Sequence, residues 1–364
     1  MLGLEGNMRS LLMVLCILAA VTTASARKWD EQDFLDRRVV PFPFDPPSAE
    51  TPRDQVRTVI GEQELYKPTK GDTFFDLARF FDLGYNEIVL ANPKADEWLP
   101  DRGGEPIVAP TAWVLPCCTY EGIVINIPEM RLYYYPPRAK GAERTVITFP
   151  VGLGRIEWKT PKGKFKVRDK TVDPTWVIPE SIRKERIADK GFSEEVIPGG
   201  SPDNPLGKYR IRLSLDLYGI HGTNIPWGVG MSVSHGCVRL YPEDIEKLYP
   251  MIKVGAEGEF VYETVKVGLK HGDVWVEVHD DPYGLQPGPW RRAMELLTNE
   301  GLVDLVDEDL LLKTVSEARG YPVNVSRRAS PDVVPVSDST RAMDVQVSEG
   351  AFQREASPER DPTQ

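Results

Sequence analysis

The stretch "KYRIRLSLDLYGIHGT", Lys208 to Thr223, alternates apolar and polar residues. That period of two predicts β-strand with one face buried, and it delivers His221 to a strand end. Sixteen residues after this histidine, inside "VSHGCVRL" (Val233 to Leu240), stands Cys237, the only cysteine in the second half of the chain. A lone cysteine is most often a small buried hydrophobe. His235 and Gly236 before it and Arg239 after it raise two further readings, a metal ligand and a nucleophile.

The same β texture extends on both sides. "EGIVINIPEMRLYYYP" (Glu121 to Pro136) reads as strand, Pro-Glu-Met turn and strand, with Ile123, Ile125 and Ile127 on one face and Leu132 and Tyr134 on the next strand. "RTVITFPVGLG" and "GKFKVRDK" supply further strands. Between Pro174 and Gly207 lies a long connection with one short helix expected at Glu180 to Asp189, an insert of the kind that forms lids or binding loops. After the cysteine, "YPEDIEKLYPMI" has helical spacing through Asp244, Ile245, Leu248 and Met251, and "GEFVYETVKVGLK" and "DVWVEVH" return to strand. The expected fold is mainly β, a sandwich or partial barrel with few helices.

Upstream, "YKPTKGDTFFDLARFFDLGYNEIVLANPKADEWLP" has a turn at Lys70-Gly71-Asp72, then Phe74, Leu77, Ala78 and Phe81 at helical spacing. A break at Gly84 precedes a second short helix through Ile88, Val89 and Leu90, stopped by Asn92-Pro93, and "EPIVAP" suits a strand. Residues 63–112 thus read as a small α/β module. Residues 27–62, rich in proline and charge, read as a linker or a strap across a neighbouring surface. Residues 265–320 form an accessory segment, in which "LVDLVDEDLLLKTVSEAR" suits an amphipathic capping helix. Residues 321–364 read as an acidic tail without packed structure; the longer stretch from Glu300 to Gln364 holds thirteen acidic against seven basic residues, −6 of the net −11.

The N-terminus addresses the protein. An apolar run from Leu11 to Val21 follows Arg9 and ends before Ala24-Ser25-Ala26, the pattern of a signal peptide over residues 1–26 cleaved after Ala26. The run is short of the roughly 20 residues that span a bilayer, so no membrane span is expected once it is removed. Export places Cys117, Cys118 and Cys237 in an oxidising compartment, an odd number. The adjacent pair can bond to each other only with strain, can bond outside the chain, or can stay reduced, which leaves Cys237 as the candidate free thiol. The chain's 364 residues fit two or three domains, and the net charge of −11 offers no basic stripe for nucleic acid, which is not expected as a partner.

The chemistry converges on Cys237. A thiol needs a lowered pKa or an adjacent base to attack, and His221 and His235 are both candidates. The Gly236-Cys237 backbone can turn two N–H groups toward an oxyanion. Arg239 alternates onto the side of Cys237 and suits a substrate carboxylate. Zinc is disfavoured, because a His-x-Cys step is not a common ligand pairing and no fourth ligand stands nearby; no metal and no cofactor are expected. His271 and His279 read as ordinary surface or packing residues.

"HGTNIPWGVGMSVSHGCVRL", with its histidine, its gap and its Ser-His-Gly-Cys, resembles the active-site signature of the L,D-transpeptidases, the YkuD-type domain. The resemblance covers Tyr120 to about Glu263 and places the catalytic domain at 119–264. "GDTFFDLARFF" and "LANP" make residues 64–110 similar to a LysM module that binds peptidoglycan glycan. The layout resembles that of periplasmic enzymes that attach an outer-membrane lipoprotein to peptidoglycan. The resemblance implies a β-sandwich catalytic domain with Cys237 as nucleophile, His221 as general acid/base, the Gly222 carbonyl as orienter of the ring, and the Gly236 and Cys237 amides as oxyanion hole. It assigns Asn224, Ser234, His235 and Arg239 to the substrate. It further implies a tetrapeptide stem as donor, a thioester at meso-diaminopimelate, release of D-alanine, and an amine acceptor, either another stem or the lipoprotein. A hydrolase on the same fold and a non-catalytic wall-binding protein are the alternatives.

Overall fold

The computed structural model describes residues 29–35, 37, 39–117 and 120–327 and a two-residue strand at Val336–Ser337; the expected signal peptide, Cys118 and most of the acidic tail lie outside the described residues. The fold is mainly β, with seven α-helices among the described residues.

A nine-stranded sheet organises the molecule. In spatial order its strands are Phe42–Pro43, Thr145–Pro150, Arg131–Tyr135, Gly122–Asn126, Glu257–Val261, Gly163–Val172, Tyr209–Leu213, Gly219–His221 and Val238–Arg239. Alternation decides what each face meets. Ile123, Ile125, Leu132, Tyr134, Ile147 and Phe149 point into one core, which Ile211, Ile220 and Val238 continue toward the far edge. Helix Pro242–Met251 covers that end with Ile245 and Leu248. The intervening residues Val124, Tyr133, Tyr135 and Val146 point the other way, into a second core.

That second core belongs equally to the N-terminal module. Strand Glu64–Tyr66, helices Phe74–Phe80 and Tyr85–Ala91, and strand Ile107–Ala109 follow in order, the two strands antiparallel. Thr73 caps the first helix by accepting from the Asp76 N–H at 3.2 Å, and Glu87 caps the second by accepting from the Gly84 N–H at 2.7 Å. Phe74, Leu77, Ala78, Leu83 and Ile88 then bury against the sheet's tyrosines. The module is docked on the sheet rather than strung beside it.

The segment before the module is the strap and not a free linker. Phe34 and Phe44 are buried, and Phe42–Pro43 forms the sheet's first edge strand against Val146 and Thr145. Proline on an edge has no N–H to offer another chain. At the other end, Val265–Lys270, Asp273–Val278 and Val323–Asn324 make a three-stranded sheet packed on helices Pro289–Asn299 and Glu308–Glu317. The packed structure therefore runs past residue 320, because Val323 pairs with Val276 and Val325 is wholly buried.

Candidate active site

Two short strands bring the signature together. Gly219–His221 and Val238–Arg239 run parallel, with Ile220 opposite Val238 and His221 opposite Arg239. Directly paired residues share a face, so Ile220 and Val238 enter the core while His221 and Arg239 emerge on the other side. Two positions back, Cys237 returns to that same side beside Gly219. Cys237 and His221 are thus diagonal neighbours across the strands, a spacing of about 7–8 Å between backbones that a thiol and an imidazole can bridge.

The His221 ring is held from its own chain. Nδ1 lies 2.7 Å from the Gly222 carbonyl oxygen, which can only accept, so the proton sits on Nδ1 and Nε2 carries the lone pair. The Gly222 carbonyl thus lies against the ring, the position that the family resemblance implies for it. Burial strips water from the ring, the Arg239 guanidinium opposes a second positive charge, and together they lower the His221 pKa to about 3. Burial pushes the Cys237 thiol up, an effect that a Gly219 N–H and the charges of Arg210 and Arg239 only partly offset. The resting pair is therefore thiol and neutral imidazole, not thiolate and imidazolium. The thiol donates to the Leu217 carbonyl at 3.5 Å. Leu217 holds a left-handed conformation at φ 69°, rare for a bulky side chain, which aims that carbonyl back at the sulfur.

Two expected roles change. The Gly236 N–H donates to Ser234 Oγ at 3.0 Å, and Ser234 Oγ donates to the Cys237 carbonyl at 2.7 Å. The serine hydroxyl is consumed in tying the turn and is 1 % exposed, so it offers nothing to a substrate, and the Gly236 amide is not free for an oxyanion. The Cys237 N–H has no partner among the described residues. Gly236 itself sits at φ 106° under the Tyr218 ring, where a Cβ would lie 2.6 Å from Cε1.

His235 points to the insert instead of the thiol. Its Nε2 lies 2.7 Å from Glu185 Oε2, on helix Glu180–Lys190, and 3.0 Å from Arg155 Nη2. A protonated Nε2 donates to Glu185, and Arg155 then pairs with the same carboxylate. Asn224 is exposed and donates to the Pro202 carbonyl at 3.2 Å, again in the insert. Both residues tether the Pro174–Gly207 connection, whose helix runs from Glu180 to Lys190 and ends at Gly191 in the left-handed conformation. Trp227 at 62 % and Leu217 at 78 % exposure add apolar surface on the neighbouring turns. Sequence reasoning missed Arg210, Leu217 and Glu185, whose partners depend on strand register and loop path.

The module supports this site as well. Tyr85 N–H donates to Val229 O at 3.1 Å and Asn86 N–H to Gly230 O at 3.3 Å, which seats the loop between His221 and Cys237 on a module helix. Elsewhere Glu129, Glu277 and His279 converge in the interior, with Lys266 Nζ at 2.8 Å from Glu129 and 2.7 Å from Glu277. The chain's own ammonium occupies the centre of that cluster. Cys117 is disulfide-bonded and Cys237 is a free thiol. No helix among the described residues is long and apolar enough to cross a membrane.

Residues 121–267 match the family model described as the L,D-transpeptidase catalytic domain. The probable L,D-transpeptidase YbiS of Escherichia coli (strain K12) is 36 % identical over 283 residues, covering 74 % of this chain and 89 % of that one. The probable L,D-transpeptidase YcfS of the same strain is 32 % identical over 290 residues, covering 76 % and 88 %. The probable L,D-transpeptidase ErfK/SrfK, also from that strain, is 39 % identical over 199 residues, covering 54 % and 62 %. With relatives at 36 % and 32 % identity covered over nearly nine-tenths of their own length and the catalytic-domain model matched across the site, the chain belongs to the L,D-transpeptidases.

Proposed function

We propose that Cys237 is the nucleophile and His221 the general acid/base of a transpeptidation on peptidoglycan stems. His221 Nε2 takes the thiol proton as sulfur attacks the carbonyl of meso-diaminopimelate in a tetrapeptide stem. The C–S bond forms, the C–N bond to D-alanine breaks, and the proton returns on the leaving amine. An acceptor amine then attacks the thioester, gives its proton to His221, and regenerates the thiol. The oxyanion is received by the Cys237 N–H, the unspent donor beside the sulfur. Bond energy is kept in the thioester, so no nucleotide is required.

The observation that carries this reading is the parallel register of Gly219–His221 and Val238–Arg239, which sets an oriented, unprotonated imidazole diagonal to a free thiol. The chain works in the periplasm after signal removal. The LysM-like module holds glycan near the site, and the amine belongs to a second stem or to an outer-membrane lipoprotein. The test is incubation of the mature protein with disaccharide tetrapeptide, followed by mass spectrometry. D-alanine release with cross-linked dimer or amine exchange supports transfer, tripeptide alone supports a hydrolase, and unchanged substrate overturns both.

A further inference from the structure

Strand register builds a row of three cationic or basic side chains. Arg210 pairs with His221 across one antiparallel ladder, and His221 pairs with Arg239 across the parallel one, so Arg210, His221 and Arg239 share the face on which Cys237 emerges. The next row holds Gly219 between Arg212 and Cys237. Having no side chain, Gly219 leaves room into which Arg210 leans: a Cβ there would lie 3.6 Å from Arg210 Nε and 4.0 Å from its Cγ.

Both guanidinium groups lack a carboxylate among the described residues. The contrast with the other arginines drawn inward is sharp. Arg37 pairs with Asp82 and Asp244, Arg79 with Glu31 and Glu243, and Arg131 with Glu87. Arg212, on the same strand as Arg210, pairs with Asp169. Arg239 Nε is moreover buried with no hydrogen-bond partner among the described residues. In a chain with eleven more acids than bases, two unneutralised guanidiniums beside one sulfur leave a site that calls for an anion.

We propose that Arg210 and Arg239 form a two-sided clamp for a carboxylate of the acyl donor, so that the site selects donors carrying a free carboxylate next to the scissile bond. The proposal rests on Cys237 being the nucleophile. Arg239 is the deeper wall, and Arg210, half-buried at the rim, is the residue that sets the preference. A guanidinium offers paired N–H groups matched to a carboxylate, which an amide or ester terminus cannot accept as a charge.

The clamp can be read with two small thiol reagents of the same size. Iodoacetate and iodoacetamide each lose iodide to the Cys237 thiolate, and only the former carries a carboxylate. In Arg210→Gln the rate ratio of iodoacetate to iodoacetamide at Cys237 should fall about tenfold, and Arg210→Lys should recover much of it as a point charge. Any change in the thiol's own ionisation cancels in the ratio. Arg212→Gln, which removes a neutralised charge one row away, should move the ratio less than about twofold. With stem donors, Arg210→Gln should raise KM for the free-acid tetrapeptide and leave KM for its C-terminal amide unchanged. An unchanged ratio in Arg210→Gln, or an equal fall in Arg212→Gln, overturns the clamp alone. Absence of any alkylation at Cys237 in the wild type overturns the nucleophile reading and the clamp with it.

Discussion

Arg131 of the central sheet and Glu87 of the module are joined by a wholly buried ion pair, Nε to Oε1 at 3.0 Å and Nη2 to Oε2 at 2.8 Å. Trp113 adds its indole N–H to the same carboxylate at 2.9 Å and lays its ring 4.1 Å from the guanidinium. Breaking such a pair strands the other charge, at a cost of about 3–5 kcal/mol. Glu87→Ala is therefore expected to lower the melting temperature strongly. It should also depress turnover of a soluble stem, since the loop through Val229 and Gly230 rests on the same helix. Deletion of residues 64–110 should abolish turnover rather than spare it; full activity in the deleted chain would show that the second core is dispensable.

Cys237→Ala should eliminate D-alanine release, whereas Cys117→Ser should retain most of the rate, because Cys117 lies in the bend between strands Ala112–Val114 and Gly122–Asn126 and not at the thiol site. A carbapenem should add one covalent mass to the wild-type protein at Cys237, since a thiol poised for acylation opens a strained lactam. Peptide mapping that finds the mass elsewhere would count against the nucleophile.

The pH profile follows from the buried imidazole. With its pKa lowered to about 3 by burial and by Arg239, His221 is already unprotonated at pH 5. Turnover is expected to be flat from about pH 5 to 8, without the acid limb near 6.5 of an ordinary histidine. The sign for stability is the reverse of a salt-bridged histidine: below about pH 6.5 the unfolded chain takes up this proton and the folded one does not, so stability falls toward pH 3. His221→Ala should lose acylation by at least about a hundredfold. An acid limb centred near 6.5 in the wild type would place the working base elsewhere.

The proposed binding of glycan by the module has its own probe. Trp98 is 60 % exposed in the loop between the second module helix and strand Ile107–Ala109, stacked toward Phe75 at 5.3 Å and, through it, Tyr85. Exposed aromatic faces are what sugar rings pack against. Trp98→Ala should weaken retention on isolated cell walls and leave soluble-stem turnover unchanged; undiminished retention would assign the module to support alone.

The legible parts of the molecule were those written in local patterns. Ile123, Ile125, Leu132 and Tyr134 alternate in the sequence and share a core in the structure, and His221 and Cys237 lie close enough in the sequence to be read together. What escaped were properties of pairing. Arg210 reaches the site only because a five-residue turn, Ser214 to Tyr218, sets it opposite His221, and that turn uses a left-handed Leu217 where a glycine or asparagine would have signalled it. Ser234 reads as a candidate contact by proximity to Cys237, yet its hydroxyl closes its own turn. The strap was ambiguous because its proline-rich composition fits a free chain as well as an edge strand; only Phe34 and Phe44, scattered singly, carried the difference.

Because Arg210, His221 and Arg239 alternate with Ile211, Ile220 and Val238, one choice of register writes both the reactive face and the core beneath it. A slip of one residue in the pairing of these strands would exchange the two sets, driving isoleucines outward and charges inward. Changes of length in the Pro174–Gly207 insert leave that register untouched, whereas changes in the Ser214–Tyr218 turn bear on it directly.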